Sequence, residues 1–118
     1  MEYKFKIYIW DGTTIMGVKS NHSFLENIRS WDWTSQKVQK IIDGVEKHKT
    51  LPDNDTDNPF VWGNEDVSVM VNENGVTLLD TLAIRAGESS QDKIVLGLTH
   101  EVFLKFLKDF KTFVEENS

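Results

Sequence analysis

From Thr99 to about Glu116 the chain sets Val102, Phe103, Phe106, Leu107, Phe110, Phe113 and Val114 on one stripe at the 3.6-residue spacing of an amphipathic helix. Lys105, Lys108, Asp109 and Lys111 fall mostly on the opposite side. Thr99 is the expected N-cap, and Glu101 places a negative charge in the first turn, where backbone N–H groups lack partners. Burying one Phe stabilises a fold by about 1.5–3 kcal/mol relative to leaving it in water. Four of the chain's seven Phe lie on this stripe, so the other residues must supply a broad apolar cover. The β-rich middle of the chain is the expected source.

The segments before the terminal helix read in order. Tyr3, Phe5, Ile7 and Ile9 alternate with Glu2, Lys4, Lys6 and Tyr8, the period of a strand, and Asp11-Gly12 supplies a turn into a second strand over 14–19. Tyr8 and Trp10 share the otherwise basic face of the first strand, so the end of that face is not expected to be fully solvated. Phe24, Leu25 and Ile28 predict a short helix over 23–30. Thr34 is a good N-cap for a second helix reaching His48, with Val38, Ile41, Ile42 and Val45 as its apolar stripe. Gly44 inside that helix costs up to about 1 kcal/mol against alanine, which a close approach by a neighbour would explain.

Residues 51–59 read as a loop. Phe60-Val61-Trp62 is a short strand, and Val67, Val69 and Val71 mark another. Asn74-Gly75 is a hairpin turn, with a return strand over 76–84 whose face Asp80 interrupts. A polar loop over 87–92 precedes a last strand over 93–98. The predicted order is β-β-α-α-β-β-β-β-α in a single domain, residues 1–118. The class is α+β, an antiparallel sheet with helices packed on one face and a long amphipathic C-terminal helix.

Charge narrows the functional classes. The net charge is −6, and it is uneven. Residues 1–50 carry eight bases and six acids, residues 51–92 one base (Arg85) and nine acids, and residues 93–118 four of each. A strongly acidic middle argues against binding nucleic acid through its phosphates. It fits docking onto a basic partner, because opposite fields speed encounter and fix orientation. It equally fits solvated loops that aid solubility. No cysteine is present, so thiolate metal sites, disulfides and thiol nucleophiles are excluded. The amino terminus lacks a basic region leading into an apolar segment, and no apolar run approaches the ~20 residues that span a bilayer. The chain is expected to be cytoplasmic, with no membrane contact.

A search for chemistry returns little. Asp53-Asn54-Asp55-Thr56-Asp57 opens like a calcium loop, but Asn58 and Asn64 stand where such a loop needs a turning Gly and a bidentate Glu. His22, His48 and His100 have no partner at ligand spacing. No phosphate-binding glycine loop occurs, and no nucleophile sits beside a base. The chain is therefore expected to be no enzyme and to carry no cofactor or metal. Trp10, Trp31, Trp33 and Trp62 remain. Trp31 and Trp33 bracket Asp32 before a helix and cannot easily both face one core, and tryptophan is over-represented among interface hot spots. Phe60 and Trp62, with the carboxylates of Asp53, Asp55, Asp57, Glu65 and Asp66 around them, form the candidate partner-binding surface.

In plan the whole chain resembles the immunity proteins of bacterial polymorphic toxin systems, including those of contact-dependent growth inhibition. The likeness rests on a small, acidic, cysteine-free domain that opens with Tyr3-Lys4-Phe5-Lys6-Ile7-Tyr8-Ile9. Its middle is strand-rich from Phe60-Val61-Trp62-Gly63 onward, and it closes on the aromatic helix from Leu98 to Phe110. The resemblance implies that the chain binds a cognate toxin domain, often a basic nuclease, and blocks its active site or substrate path. Acids would steer capture and aromatic anchors would slow release. The alternatives are a small enzyme or ligand-binding domain with a site on the sheet's open face, and a structural or assembly subunit.

Overall fold

The computed structural model describes residues 2–52 and 60–117. β1 (Tyr3–Trp10) and β2 (Thr13–Ser20) form an antiparallel hairpin in unbroken register, Tyr3 opposite Ser20 and Trp10 opposite Thr13. Asp11 and Gly12 between them both take positive φ, 49° and 78°, the combination that matches a tight hairpin to the twist of its strands. Next come α1 (Ser23–Glu26) and α2 (Ser35–His48). β3 (Phe60–Gly63), β4 (Ser68–Asn72) and β5 (Gly75–Leu79) follow, then α3 (Thr81–Arg85), α4 (Gln91–Ile94), β6 (Val95–Leu98) and α5 (His100–Asn117). β3-β4-β5-β6 is a second, four-stranded antiparallel sheet in sequence order, separate from the first hairpin.

The fold is α+β, with the predicted order of strands and long helices. Val69 and Val71 on β4 stand opposite Leu78 and Val76 on β5, and this buried face lies against α2 and α5. The helices thus cover one face of the sheet. The long helices begin where their caps predict: Thr34 Oγ1 accepts from Lys37 N at 3.1 Å, and Thr99 Oγ1 accepts from Val102 N at 3.1 Å. Gly44 has the neighbour its place in a helix implied. A Cβ there would lie 2.6 Å from Val61 Cγ1, so α2 and β3 approach more closely than alanine allows.

The aromatic stripe of α5 is covered differently from expectation. Phe103, Phe106 and Phe110 are fully buried, but Val102 is exposed and Leu104 takes its place in the core. The cover comes from α2, from β5 and from the root of the first hairpin. Phe5 stacks on Phe110 and Phe113, each at 5.3 Å between ring centres, and Tyr3 meets Phe106 edge-on at 5.1 Å. The Tyr3 hydroxyl also donates to Asp109 at 2.6 Å, and Lys105 donates to the same carboxylate oxygen at 2.7 Å. Burial, then the hydrogen bond to Asp109, pushes the Tyr3 pKa up to about 12. Asp109 is held low by the hydrogen bond from Lys105 and then by that from Tyr3.

Three predicted boundaries are corrected. The strand over 76–84 ends at Leu79 because Asp80 caps a helix: its Oδ1 accepts from Ala83 N at 2.9 Å and from Asn27 Nδ2 at 3.2 Å. Leu82 and Ile84, which fall within that predicted strand, are exposed on α3. The helix over 23–30 stops at Glu26, since Ser30 exchanges two backbone hydrogen bonds with Met16 on β2 instead. The last strand starts at Val95, after the single turn of α4.

Candidate partner-binding site

The backbone exchange between Met16 and Ser30 draws the link between α1 and α2 against the hairpin. Trp31 then projects into solvent, 69% exposed, while Trp33 turns inward. Trp33 packs on Trp62 in a tilted pair, 5.4 Å between ring centres, and meets Phe110 edge-on at 5.1 Å; its indole Nε1 is buried without a hydrogen-bond partner among the described residues. The two tryptophans that bracket Asp32 thus do face opposite ways. Asp32 is fixed between them by the Ser30 hydroxyl and by Lys37 at 2.5 Å, and these hydrogen bonds, Lys37 first, hold its carboxyl below the usual range.

Opposite Trp31 stands the outer face of the hairpin. Tyr8, Trp10 and Ile15 lie on it, and Trp10 is 71% exposed. Between Trp10 and Trp31 runs a groove of about 690 Å³, with Glu65 and Asp66 on its rim. A second depression of about 460 Å³ adjoins it, lined by Trp33, Trp62, Lys37 and Lys40, and shares Arg29, Ser30 and Asn64 with the first. Trp10 and Trp31 therefore line one groove and Trp62 the depression beside it, while Trp33 belongs to the core.

The loop that carries the acids is rigidly built. Asn64 Oδ1 accepts from Asp66 N at 2.8 Å and Val67 N at 2.9 Å, and Asn64 Nδ2 donates to Asn27 O at 3.0 Å. The Thr81 hydroxyl donates to Glu65 O at 2.9 Å. Asp66 is divided between two arginines, Arg29 at 3.0 Å and Arg85 at 3.2 Å. Pairs this exposed stabilise a fold by at most about 1 kcal/mol. Their larger effect is on charge: Asp66 is already neutralised, whereas Glu65 is exposed and its side chain has no partner among the described residues.

Of the residues chosen from sequence, Glu65 and Asp66 meet at the aromatic groove and Trp62 lines the adjoining depression. Phe60 is exposed at the start of β3 and lines neither. Asp53, Asp55 and Asp57, with the calcium-like loop they open, lie outside the described residues. Tyr8, Trp10, Ile15 and Arg29 join the site without having been selected. The signal for Tyr8 and Trp10 was their place on the solvent face of a charged strand; nothing local predicts that Trp31 stands across from them.

Two of the three histidines hold their rings against backbone carbonyls. His48 Nδ1 lies 2.8 Å from Gly44 O, and His100 Nε2 lies 2.7 Å from Asn72 O. Among the described residues no three His, Cys, Asp or Glu side chains are grouped to hold a metal ion, and no helix is long and apolar enough to cross a membrane. No protein-family model matches the chain, and neither a curated protein nor a solved structure matches it. The fold and the site together define an α+β domain that presents an aromatic surface with a charged rim.

Proposed function

We propose that this chain is an immunity protein and not an enzyme: it binds a cognate toxin domain in the bacterial cytoplasm and neutralises it, as in contact-dependent growth inhibition. The observation that carries the binding role is the groove between Trp10 and Trp31, both largely in solvent, with Trp62 in the depression beside it. Exposed aromatic patches of this kind mark interfaces, and Trp is prominent among the residues whose truncation most weakens binding. The acidic middle of the chain supports a basic partner such as a nuclease, whose own surface must hold phosphates. In this reading Glu65 and the acids at positions 53, 55 and 57 steer the encounter, and the tryptophans set the dissociation rate.

The test is co-expression with the C-terminal domain of the protein encoded immediately upstream, scored by growth and by co-purification. Growth rescue with a stable complex supports the proposal; toxicity without rescue overturns it. One observation favours a second reading. The depression beside Trp62 has the volume of a small-molecule site and carries Lys37 and Lys40, so an anionic ligand would fit it. A ligand screen by thermal shift, with Lys40→Ala as control, separates the two.

A further inference from the structure

β1 leaves a long strand edge open. Met16 exchanges both of its backbone hydrogen bonds with Ser30, so its N–H and C=O point away from β1. Ile7 stands opposite Met16 and therefore aims its own N–H and C=O away from β2. By the alternation of the ladder, Tyr3, Phe5 and Ile9 aim theirs outward as well. None of these groups is hydrogen-bonded among the described residues. The other edges are blunted. Ser30 sits on β2 at Met16, β3 is short and bulged between Phe60 and Trp62, and β6 has only four residues. β1 has eight in unbroken register, and Ile7 and Ile9 beside its open edge are 46% and 74% exposed. A sheet of two strands is the least stable kind, so a further strand on this edge would strengthen it.

The sequence of β1 says what can pair there. Lys4, Lys6, Tyr8 and Trp10 share one face, and Tyr3, Phe5, Ile7 and Ile9 share the other. When two antiparallel copies of β1 meet at their open edges, odd-numbered residues must face odd-numbered ones, because those carry the free groups. Registers centred on residue 4, 5 or 6 set lysine against lysine, which is unfavourable. The longest register that avoids this is centred on Ile7 and pairs residues 4–10. In it Ile7 faces the partner's Ile7, Phe5 the partner's Ile9, Lys6 the partner's Tyr8 and Lys4 the partner's Trp10. Apolar thus meets apolar, and each lysine meets an aromatic ring. Lys6 already makes that contact within its own strand, its Nζ 5.0 Å from the centre of the Tyr8 ring. From this self-complementarity we infer that the occupant of the edge is a second copy of this chain. Two copies join β1 to β1 about a two-fold axis at Ile7, giving one four-stranded sheet of order β2-β1-β1-β2. The inference goes beyond the proposed function and does not depend on a toxin.

The test is sedimentation velocity of the whole protein from micromolar to millimolar concentration, with circular dichroism to check the fold of each variant. The parent should pass from monomer to dimer. Ile7→Lys sets two lysines against each other at the axis and should raise the midpoint of that transition about tenfold or more. Ile84→Lys makes the same change at an exposed position on α3 and should leave the midpoint unchanged. A second measurement reads the register without relying on Ile7→Lys to fold. The chain has no cysteine, so a single one reports only on itself. Ile7→Cys should form a disulfide-linked dimer on mild oxidation, since paired Cα atoms lie about 5.5 Å apart, within disulfide reach. Ile9→Cys should not, because its copies would be about 14 Å apart. Random collision predicts the reverse, as Ile9 is the more exposed. A parent that stays monomeric at millimolar concentration, an Ile84→Lys effect equal to that of Ile7→Lys, or faster cross-linking through Ile9→Cys refutes the self-pairing edge.

Discussion

Gly44→Ala should destabilise the protein although alanine is the better helix former. In an open helix the exchange gains about 1 kcal/mol. Here the new Cβ would sit 2.6 Å from Val61 Cγ1, about 1 Å inside the usual 3.5–4.0 Å carbon–carbon contact. Val61 is β-branched and stiff at χ1, though it sits at a bulge between Phe60 and Trp62, so relief requires its side chain to leave its rotamer or α2 and β3 to part. Overpacking of this kind costs about 1–3 kcal/mol. The net expectation is a loss of about 0–2 kcal/mol from these two opposed effects. Val61→Ala removes both methyl groups and leaves a Cβ at 3.7 Å, an ordinary contact. In that background Gly44→Ala should therefore stabilise by about 1 kcal/mol, reversing sign. Urea denaturation of the four proteins of this double-mutant cycle reads the coupling directly. A Gly44→Ala protein more stable than the parent, or a cycle with no coupling, would refute the close approach of α2 and β3.

Three further outcomes follow from the packing. Asp80→Ala should cost about 1–3 kcal/mol in chemical denaturation, because it removes the α3 cap and one of the two acceptors of Asn27 Nδ2, leaving only Asp66 O. Phe103→Ala should cost about 3–5 kcal/mol, whereas Val102→Ser, one residue earlier on the same helix, should stay within about 0.5 kcal/mol; equal losses would restore the stripe as read from sequence. Tyr3 keeps its proton to about pH 12 in the folded protein against about 10 when unfolded. Its contribution is thus full below about pH 10 and lost as pH rises toward 12, so Tyr3→Phe should flatten the fall in melting temperature across that window.

Signals that act within a few residues were legible in the sequence. Thr34, Thr99, Asp11-Gly12 and the stripes of α2 and α5 each fix a local conformation, and each element forms where those residues place it. Asp80 shows the limit. Leu78, Leu82 and Ile84 keep a strand's period, and the competing helix wins because Asp80 finds Ala83 N and a distant amide on Asn27. The shift of the α5 stripe from Val102 to Leu104 is likewise tertiary: the 3.6-residue spacing does not say which flank of the helix its neighbours cover. For the site, sequence singled out residue types but not their meeting. Trp10 and Trp31 face each other only because Met16 pairs with Ser30, a contact no local pattern encodes.

The most direct measurement is binding of the purified protein to the co-expressed toxin domain, wild type against Trp10→Ala/Trp31→Ala, by surface plasmon resonance. Both tryptophans are in solvent, so circular dichroism should report an unchanged fold. If the surface around Trp10 and Trp31 is the interface, the dissociation rate should rise at least about 30-fold, the effect of losing one hot spot of about 2 kcal/mol, and growth rescue should fail. Unchanged kinetics in a folded double variant would place the interface elsewhere and remove the basis for the proposed function.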